Sequence, residues 1–262
     1  MQLRIRFVGK EQGLVVPLHY NKALQGIIYH KINESDPLLA TYLHDKGTKD
    51  PETVRRLKLF TFSRLLPARK PKIDPEKKVL TLEFPITWII ASPLPDFVVA
   101  LYNAFVKDGS ATLRTKGPDG ENTMRVSSLW VYPDPKFTSR VLVETLSPIT
   151  VYRTEEKDGQ KFTRYLSPSD PDFSRLLLEN LCRKYRTLTG ARISAGNGSY
   201  IKPVRTSERE TIVYYEDTVI KAWSGVFELS VPEELFSVAF SCGLGAKNSQ
   251  GFGCIAVWRG SA

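Results

Sequence analysis

Apolar residues in this chain switch between a spacing of two and a spacing of three to four, and they do so in the same order in each half. Near the start, Leu3, Ile5 and Phe7 alternate with Arg4 and Arg6, the pattern of a half-buried strand. Asn21 is placed to cap a helix running to about Ile32, with Leu24, Ile27, Ile28 and Ile32 on one face. Asp36-Pro37 reads as a cap with proline in the first turn of a short helix ending near His44, with Gly47 just beyond. Residues 57–66 and 79–84 read as strands, and Asp96 opens a helix striped by Phe97, Val98, Leu101 and Phe105. Residues 111–132 return as strand, interrupted at Lys116-Gly-Pro-Asp-Gly120. The second half repeats the order: strand 138–153 with a hairpin turning at Asp158-Gly159, then a helix opened by Asp170-Pro171. Strands near 199–205, 211–215 and 218–230 follow, then a helix opened by Pro232 that stops at Gly243, and a closing strand Cys254–Trp258. Each half reads β-α-β-β-α-β. The expected fold class is therefore α+β: tandem ferredoxin-like (RRM-like) domains with a C-terminal glycine-rich loop. The expected domains are 1–135 and 136–262, divided at the proline-broken stretch Tyr132–Lys136.

Composition narrows the partners. The net charge is +9, which favours a polyanion. No apolar run approaches the ~18 residues of a membrane span, and the start lacks the apolar stretch of a signal peptide, so no membrane partner is expected and the cytoplasm is the expected compartment. Cys182, Cys242 and Cys254 show no C-x-x-C spacing and the three histidines are dispersed, so neither a metal site nor any other cofactor is expected.

Gly243, Gly245, Gly251 and Gly253 fall between a helix and a strand in the spacing G-x-G-x-x-x-x-x-G-x-G. The dinucleotide and P-loop motifs lie instead between a strand and a helix, which argues against nucleotide hydrolysis. A run of backbone N–H groups here could hold a phosphate, with Lys247 and Asn248 adding a cation and an amide; a plain flexible connection fits the composition equally well. Basic clusters at Arg64, Arg69, Lys70 and Lys72, at Arg183, Lys184 and Arg186, and at Arg192, Lys202 and Arg205 read singly as solvated faces. With Tyr200, Tyr214 and Tyr215 close in sequence, they suggest phosphate contacts and base stacking in a cleft between the domains, beside the glycine loop.

Two side chains suit proton transfer. His44 sits at a helix C-terminus before Asp45, and both surroundings favour its imidazolium form. Tyr29 lies off the apolar face of its helix, beside Lys22 and Gln25. A helix-capping surface histidine and a rim tyrosine are the plain alternatives.

The segment Cys242-Gly-Leu-Gly-Ala-Lys-Asn-Ser-Gln-Gly-Phe-Gly253 resembles the C-terminal signature of the CRISPR-associated RAMP superfamily, and in particular the Cas6 endoribonucleases. Leu24–His30, Ala40–His44, Leu59–Ser63 and Leu146–Thr150 resemble further stretches of that family in the same order. The resemblance implies tandem ferredoxin-like domains and cleavage of CRISPR repeat RNA into guide RNAs without metal. It carries a catalytic tyrosine onto Tyr29, a catalytic histidine onto His44 and a lysine best onto Lys58, with Lys46 and Lys49 as alternatives because Thr48–Leu57 lengthens the interval. Lys58 fits poorly if it shares a buried strand face with Phe60 and Phe62. RNA contacts are expected from Lys247, Asn248, Gly243, Gly245, Gly251, Gly253, Arg192, Lys202 and Arg205. Expected partners are the repeat RNA, in precursor and processed form, and CRISPR effector-complex proteins, with the chain a monomer or homodimer. A non-catalytic RNA-binding relative or effector-complex subunit, and an unrelated RRM-like module, are the competing readings.

Overall fold

The computed structural model describes residues 1–9, 13–43, 47–114, 121–137 and 139–260. The strand Gln2–Val8 takes the centre of the first sheet, flanked antiparallel by Glu121–Tyr132 and Ile86–Ala91. Thr61–Phe62 and Leu66–Pro67 pair with the far side of Ile86–Ala91, and Ser110–Arg114 pairs with the far side of Glu121–Tyr132. Helices α1 (Asn21–Ser35) and α3 (Pro95–Asp108) cover one face, setting Leu24, Ile28, Leu101 and Phe105 against Leu3, Ile5 and Phe7. Between them in the chain, α2 (Pro37–Thr41) is capped by Asp36, whose carboxylate accepts the Leu39 N–H at 2.9 Å, as the sequence suggests.

The second sheet runs Tyr200–Thr206, Gly225–Ser230, Val141–Thr145, Ile255–Val257 in spatial order, all antiparallel. Helices α4 (Phe173–Thr189) and α5 (Glu233–Cys242) bury Leu177, Leu181, Leu235 and Ala239 against Val143, Phe227 and Leu229. Two hairpins are inserted. Tyr152–Lys157 pairs with Gln160–Tyr165, turning where expected through left-handed Asp158 and Gly159. Thr211–Tyr215 pairs with Thr218–Ala222. Tandem ferredoxin-like units are thus the fold.

Three local expectations change. The inner strand of the first unit is Ile86–Ala91, not 79–84. Five of its six residues are buried, so it shows no alternation, and a fully buried Leu, Ile or Phe contributes roughly 1.5–3 kcal/mol, enough to put this run at the sheet's heart. Val79–Glu83 instead pairs with Gly13–Pro17 and Lys72–Asp74 in a side sheet. Strand 57–66 is broken, because Leu59 takes φ +22°, and Arg56–Leu57 folds back on Thr48–Lys49. The strand expected over 138–153 is Val141–Thr145 alone, its downstream part joining the first hairpin. The turn Lys116–Gly120 lies outside the described residues.

Candidate active site

The glycine segment is a packed junction. At Gly253 a Cβ would stand 1.9 Å from the Leu244 carbonyl oxygen, and at Gly251 it would stand 2.5 Å from the ring of Phe62. Both residues have left-handed φ, so chain path and space each call for glycine. The N–H groups of Gly243, Gly251 and Gly253 already donate to Ala239, Asn248 and Pro148 carbonyls. Asn248 is buried, its amide donating to Leu244 O at 3.0 Å and Phe252 O at 2.9 Å. Buried Lys184 donates to Gly243 O at 2.6 Å and Gly245 O at 3.0 Å, and burial lowers its ammonium to about 7. The open phosphate cradle expected here is therefore not the arrangement found. Gly243, Gly251 and Gly253 spend their surfaces and polar groups on the protein itself, whereas Gly245 and Asn248, though buried, also line the cleft described below.

What the segment grips is the first unit. Asn21 is not a cap. It is buried at the start of α1, and its amide N–H groups reach Gln250 O at 2.9 Å and Gly251 O at 3.2 Å. Arg64 donates to Asn21 Oδ1 at 2.7 Å and lies over the Tyr20 ring, so it is structural rather than part of a basic face. Thr61 Oγ1 donates to Phe252 O at 2.9 Å, and the Arg64 N–H donates to Leu146 O at 2.9 Å.

Two turns along α1 from Asn21, half-buried Tyr29 packs edge-on against Phe60, with ring centroids 6.1 Å apart. Lys58 Nζ donates to Tyr29 Oη at 3.0 Å. The left-handed turn at Leu59 breaks the alternation that would have buried Lys58 with Phe60 and Phe62, so Lys58 stands half-exposed beside Tyr29. Burial raises the Tyr29 phenol well above its ordinary pKa, and nearby Tyr215 pushes the same way. The phenol is therefore neutral at physiological pH.

Lys58 lines a cleft of about 850 Å³ between the segment 55–60 and the second unit. Its other walls carry Arg55 and Arg56, Arg183 on α4, Tyr152 on the first hairpin, and Lys247. Burial lowers the Arg183 guanidinium from its ordinary value and Arg55 adds to that shift, so cations gather here despite mutual repulsion. Glu179, also in the wall, is tied to Arg175 at 2.6 Å. Lys247 Nζ lies 5.6 Å from the Tyr152 ring centroid, which sets a cation and an aromatic face side by side. A basic, aromatic, half-open cleft of this kind suits a single strand of nucleic acid.

The other sequence candidates divide. His44 and Lys46 lie outside the described residues, which resume at Gly47. Lys49 is exposed on the short strand Thr48–Lys49. Arg192 is paired with Glu52 at 2.5 Å, next to Arg186, which grips buried Asp50 with two N–H groups at 2.8 Å each. Lys202 sits over Tyr200 on the edge strand, and Arg205, further along that strand, lines a separate hollow with Arg4, Tyr132 and Trp258. Arg192, Lys202 and Arg205 thus do not join Lys247 in the cleft. They neighbour one another in sequence, but the Tyr200–Thr206 strand lies at the outer edge of its sheet. Arg55, Arg56 and Tyr152 are cleft residues missed in the sequence. The Arg-Arg pair was a visible signal, set in a stretch that read only as an extra-long connection.

The arrangement is thus a double ferredoxin-like scaffold locked by a glycine-rich turn beside a basic cleft. A family model described as CRISPR-associated protein Cas6, N-terminal, matches residues 15–116, and one described as CRISPR associated protein Cas6, C-terminal, matches residues 132–257. The chain belongs to the Cas6 family. It is 28% identical to the CRISPR-associated endoribonuclease Cas6 of Pyrococcus furiosus, over 98% of this chain and 90% of that one. It is likewise 28% identical to CRISPR-associated endoribonuclease Cas6 1 of Methanocaldococcus jannaschii, over 92% and 87%. The solved structure of a Cas6-related gene product from Pyrococcus furiosus superimposes with a TM-score of 0.83 at 21% identity, over 100% of this chain and 99% of that one.

Proposed function

We propose that this chain is a CRISPR repeat RNA endoribonuclease that cuts precursor transcripts at the Tyr29–Lys58 end of the cleft, with guide RNA as its product. The observation that carries this reading is the 3.0 Å contact between Lys58 Nζ and Tyr29 Oη at the edge of a cationic cleft. In the proposed reaction the ribose 2′-hydroxyl attacks the adjacent phosphorus in line and the 5′-oxygen leaves. The products are a 2′,3′-cyclic phosphate and a 5′-hydroxyl. Lys58 stabilises charge on the phosphoryl oxygens, and Tyr29 and His44 divide the two proton transfers, so no metal is required.

The chemistry allows Tyr29 near the 2′-hydroxyl with His44 near the leaving oxygen, or the exchange of the two. The raised phenol favours the exchange. Tyr29 accepts from the Lys58 ammonium and donates its own proton toward the leaving oxygen, while His44 takes the 2′ proton. Cleavage then rises as a histidine near pH ~6.5 loses its proton and stays high toward alkaline pH. The opposite arrangement makes the rate fall over the same interval.

Repeat RNA should be cut in the presence of EDTA, leaving cyclic phosphate ends. One 2′-deoxy nucleotide at the scissile position should stop cutting while binding persists. Tyr29→Phe and His44→Ala should each lower single-turnover cleavage by about 10²–10⁴-fold. Cutting of the deoxy substrate would remove the mechanism. Unchanged cutting by both variants would remove the site and leave the enzyme.

A further inference from the structure

The second hairpin, Thr211–Ala222, does not rest on its own sheet. Val213, Tyr215, Ile220 and Ala222 form a small separate core with Phe252 of the glycine segment. From that core the hairpin reaches the first unit at three points, one at His19 just ahead of α1 and two on α1 itself. The Tyr214 N–H donates to His19 Nδ1 at 3.4 Å, Lys22 Nζ meets Glu216 at 2.5 Å, and Tyr215 Oη donates to Gln25 Oε1. The other end of the same amide, Gln25 Nε2, donates to Ser249 O at 2.5 Å. Both ends of Gln25 are thus held by the second unit. Gln25 stands four residues before Tyr29, so the two share one stripe of α1.

We propose that Tyr215 is a positioning residue for RNA cleavage, fixing through Gln25 the turn of α1 that aims Tyr29 at Lys58 and the cleft. This rests on the reading of Tyr29 given above. Burial, and then Glu216, raise the Tyr215 phenol to about 12, so the hydroxyl stays a donor throughout the working pH range. The link therefore persists wherever the enzyme cuts. Tyr215 is almost fully buried and lines no wall of the cleft, so its effect should appear in the rate and not in RNA affinity.

The test is single-turnover cleavage of repeat RNA at saturating enzyme, with the dissociation constant measured alongside. Tyr215→Phe keeps the ring in its core and removes only the hydroxyl. It should slow cutting about 10-fold, the scale of a modest misplacement of a reacting group, with affinity changed less than about twofold. Gln25→Ala, which breaks the same link from the helix side and leaves the hairpin core intact, should slow it at least as much. In a Tyr29→Phe background, Tyr215→Phe should cost nothing more. Wild-type speed in both single variants would overturn the inference, as would an equal further loss in the Tyr29→Phe background or an effect confined to affinity. Wild-type speed in Tyr29→Phe itself would remove the site and this inference together, an outcome distinct from failure of Tyr215 alone.

Discussion

The two ferredoxin-like units share a strand order and differ in where their extra residues go. Most additions to the first unit stay beside it: Gly13–Pro17, Lys72–Asp74 and Val79–Glu83 pair with one another, while the stretch 48–58 crosses over, tying Asp50 and Glu52 to Arg186 of the second unit. Additions to the second unit leave their sheet. One hairpin walls the cleft with Tyr152, and the other clasps α1. The glycine segment, also from the second unit, fastens Asn21, Gln25 and Thr61 of the first. The difference teaches a division of labour. The first unit carries Tyr29, Lys58 and one wall of the cleft, and the second braces α1 and supplies the opposite wall. In this Cas6 endoribonuclease, damage to the second unit should register at residues that unit does not contain.

The largest effect expected of that comparison is at Gly253. A valine there must take a left-handed φ, costing about 1–3 kcal/mol, and must also push its Cβ off the Leu244 carbonyl. Gly253→Val should lower the melting temperature by roughly 10 °C or more, and cleavage should fall with it at temperatures where the variant is still folded. A folded, fully active Gly253→Val would show that the junction between the units is dispensable. The units would then be merely tethered.

How far the sequence reaches follows from the range of the interactions. The β-α-β-β-α-β order is legible twice because amphipathic strands and helices write their period locally. Ile86–Ala91 is not, since a strand buried on both faces has no alternation to show. The junction is invisible for a different reason. Asn21 and Gly251 meet across 230 positions, and nothing near Asn21 distinguishes an amide meant for a distant carbonyl from one meant to cap its own helix. Tyr29 was within reach as an off-face tyrosine. Lys58 was placed by resemblance, and its freedom from the buried face depends on the Leu59 turn, which no propensity announces. Arg192, Lys202 and Arg205 show the converse error, in which closeness in sequence stood in for closeness in space.

A smaller effect sharpens the comparison at Lys184, which braces the glycine carbonyls from α4. Burial pushes its ammonium down from the ordinary 10.5 to about 7 in the fold. Between those values the unfolded chain holds a proton that the folded chain has released, so stability from this group rises with pH across the window. Below about pH 7 both states are protonated and the full cost of the buried charge remains. From pH 7 to 9 the gain is roughly 2–3 kcal/mol, or about 5 °C. Lys184→Met should flatten that rise in melting temperature in buffers of matched ionic strength. An equal rise in the variant would assign it to other groups.

The smallest effect separates gripping RNA from cutting it. Lys247 is the cation that the glycine segment turns toward the cleft, half-buried over Tyr152, whereas Gly243, Gly251 and Gly253 line no wall of it. One lysine neutralising one phosphate contributes a single unit of salt dependence. Lys247→Ala should therefore weaken repeat RNA binding about 3–10-fold and reduce the slope of log affinity against log salt by about 1. Single-turnover cleavage at saturating enzyme should change less than about twofold, because the lysine that meets Tyr29 is Lys58. A tenfold slower cut at saturation, with affinity unchanged, would move Lys247 from the path of the RNA to the phosphate being cleaved. The chemistry would then be shared between the two units instead of resting on the first.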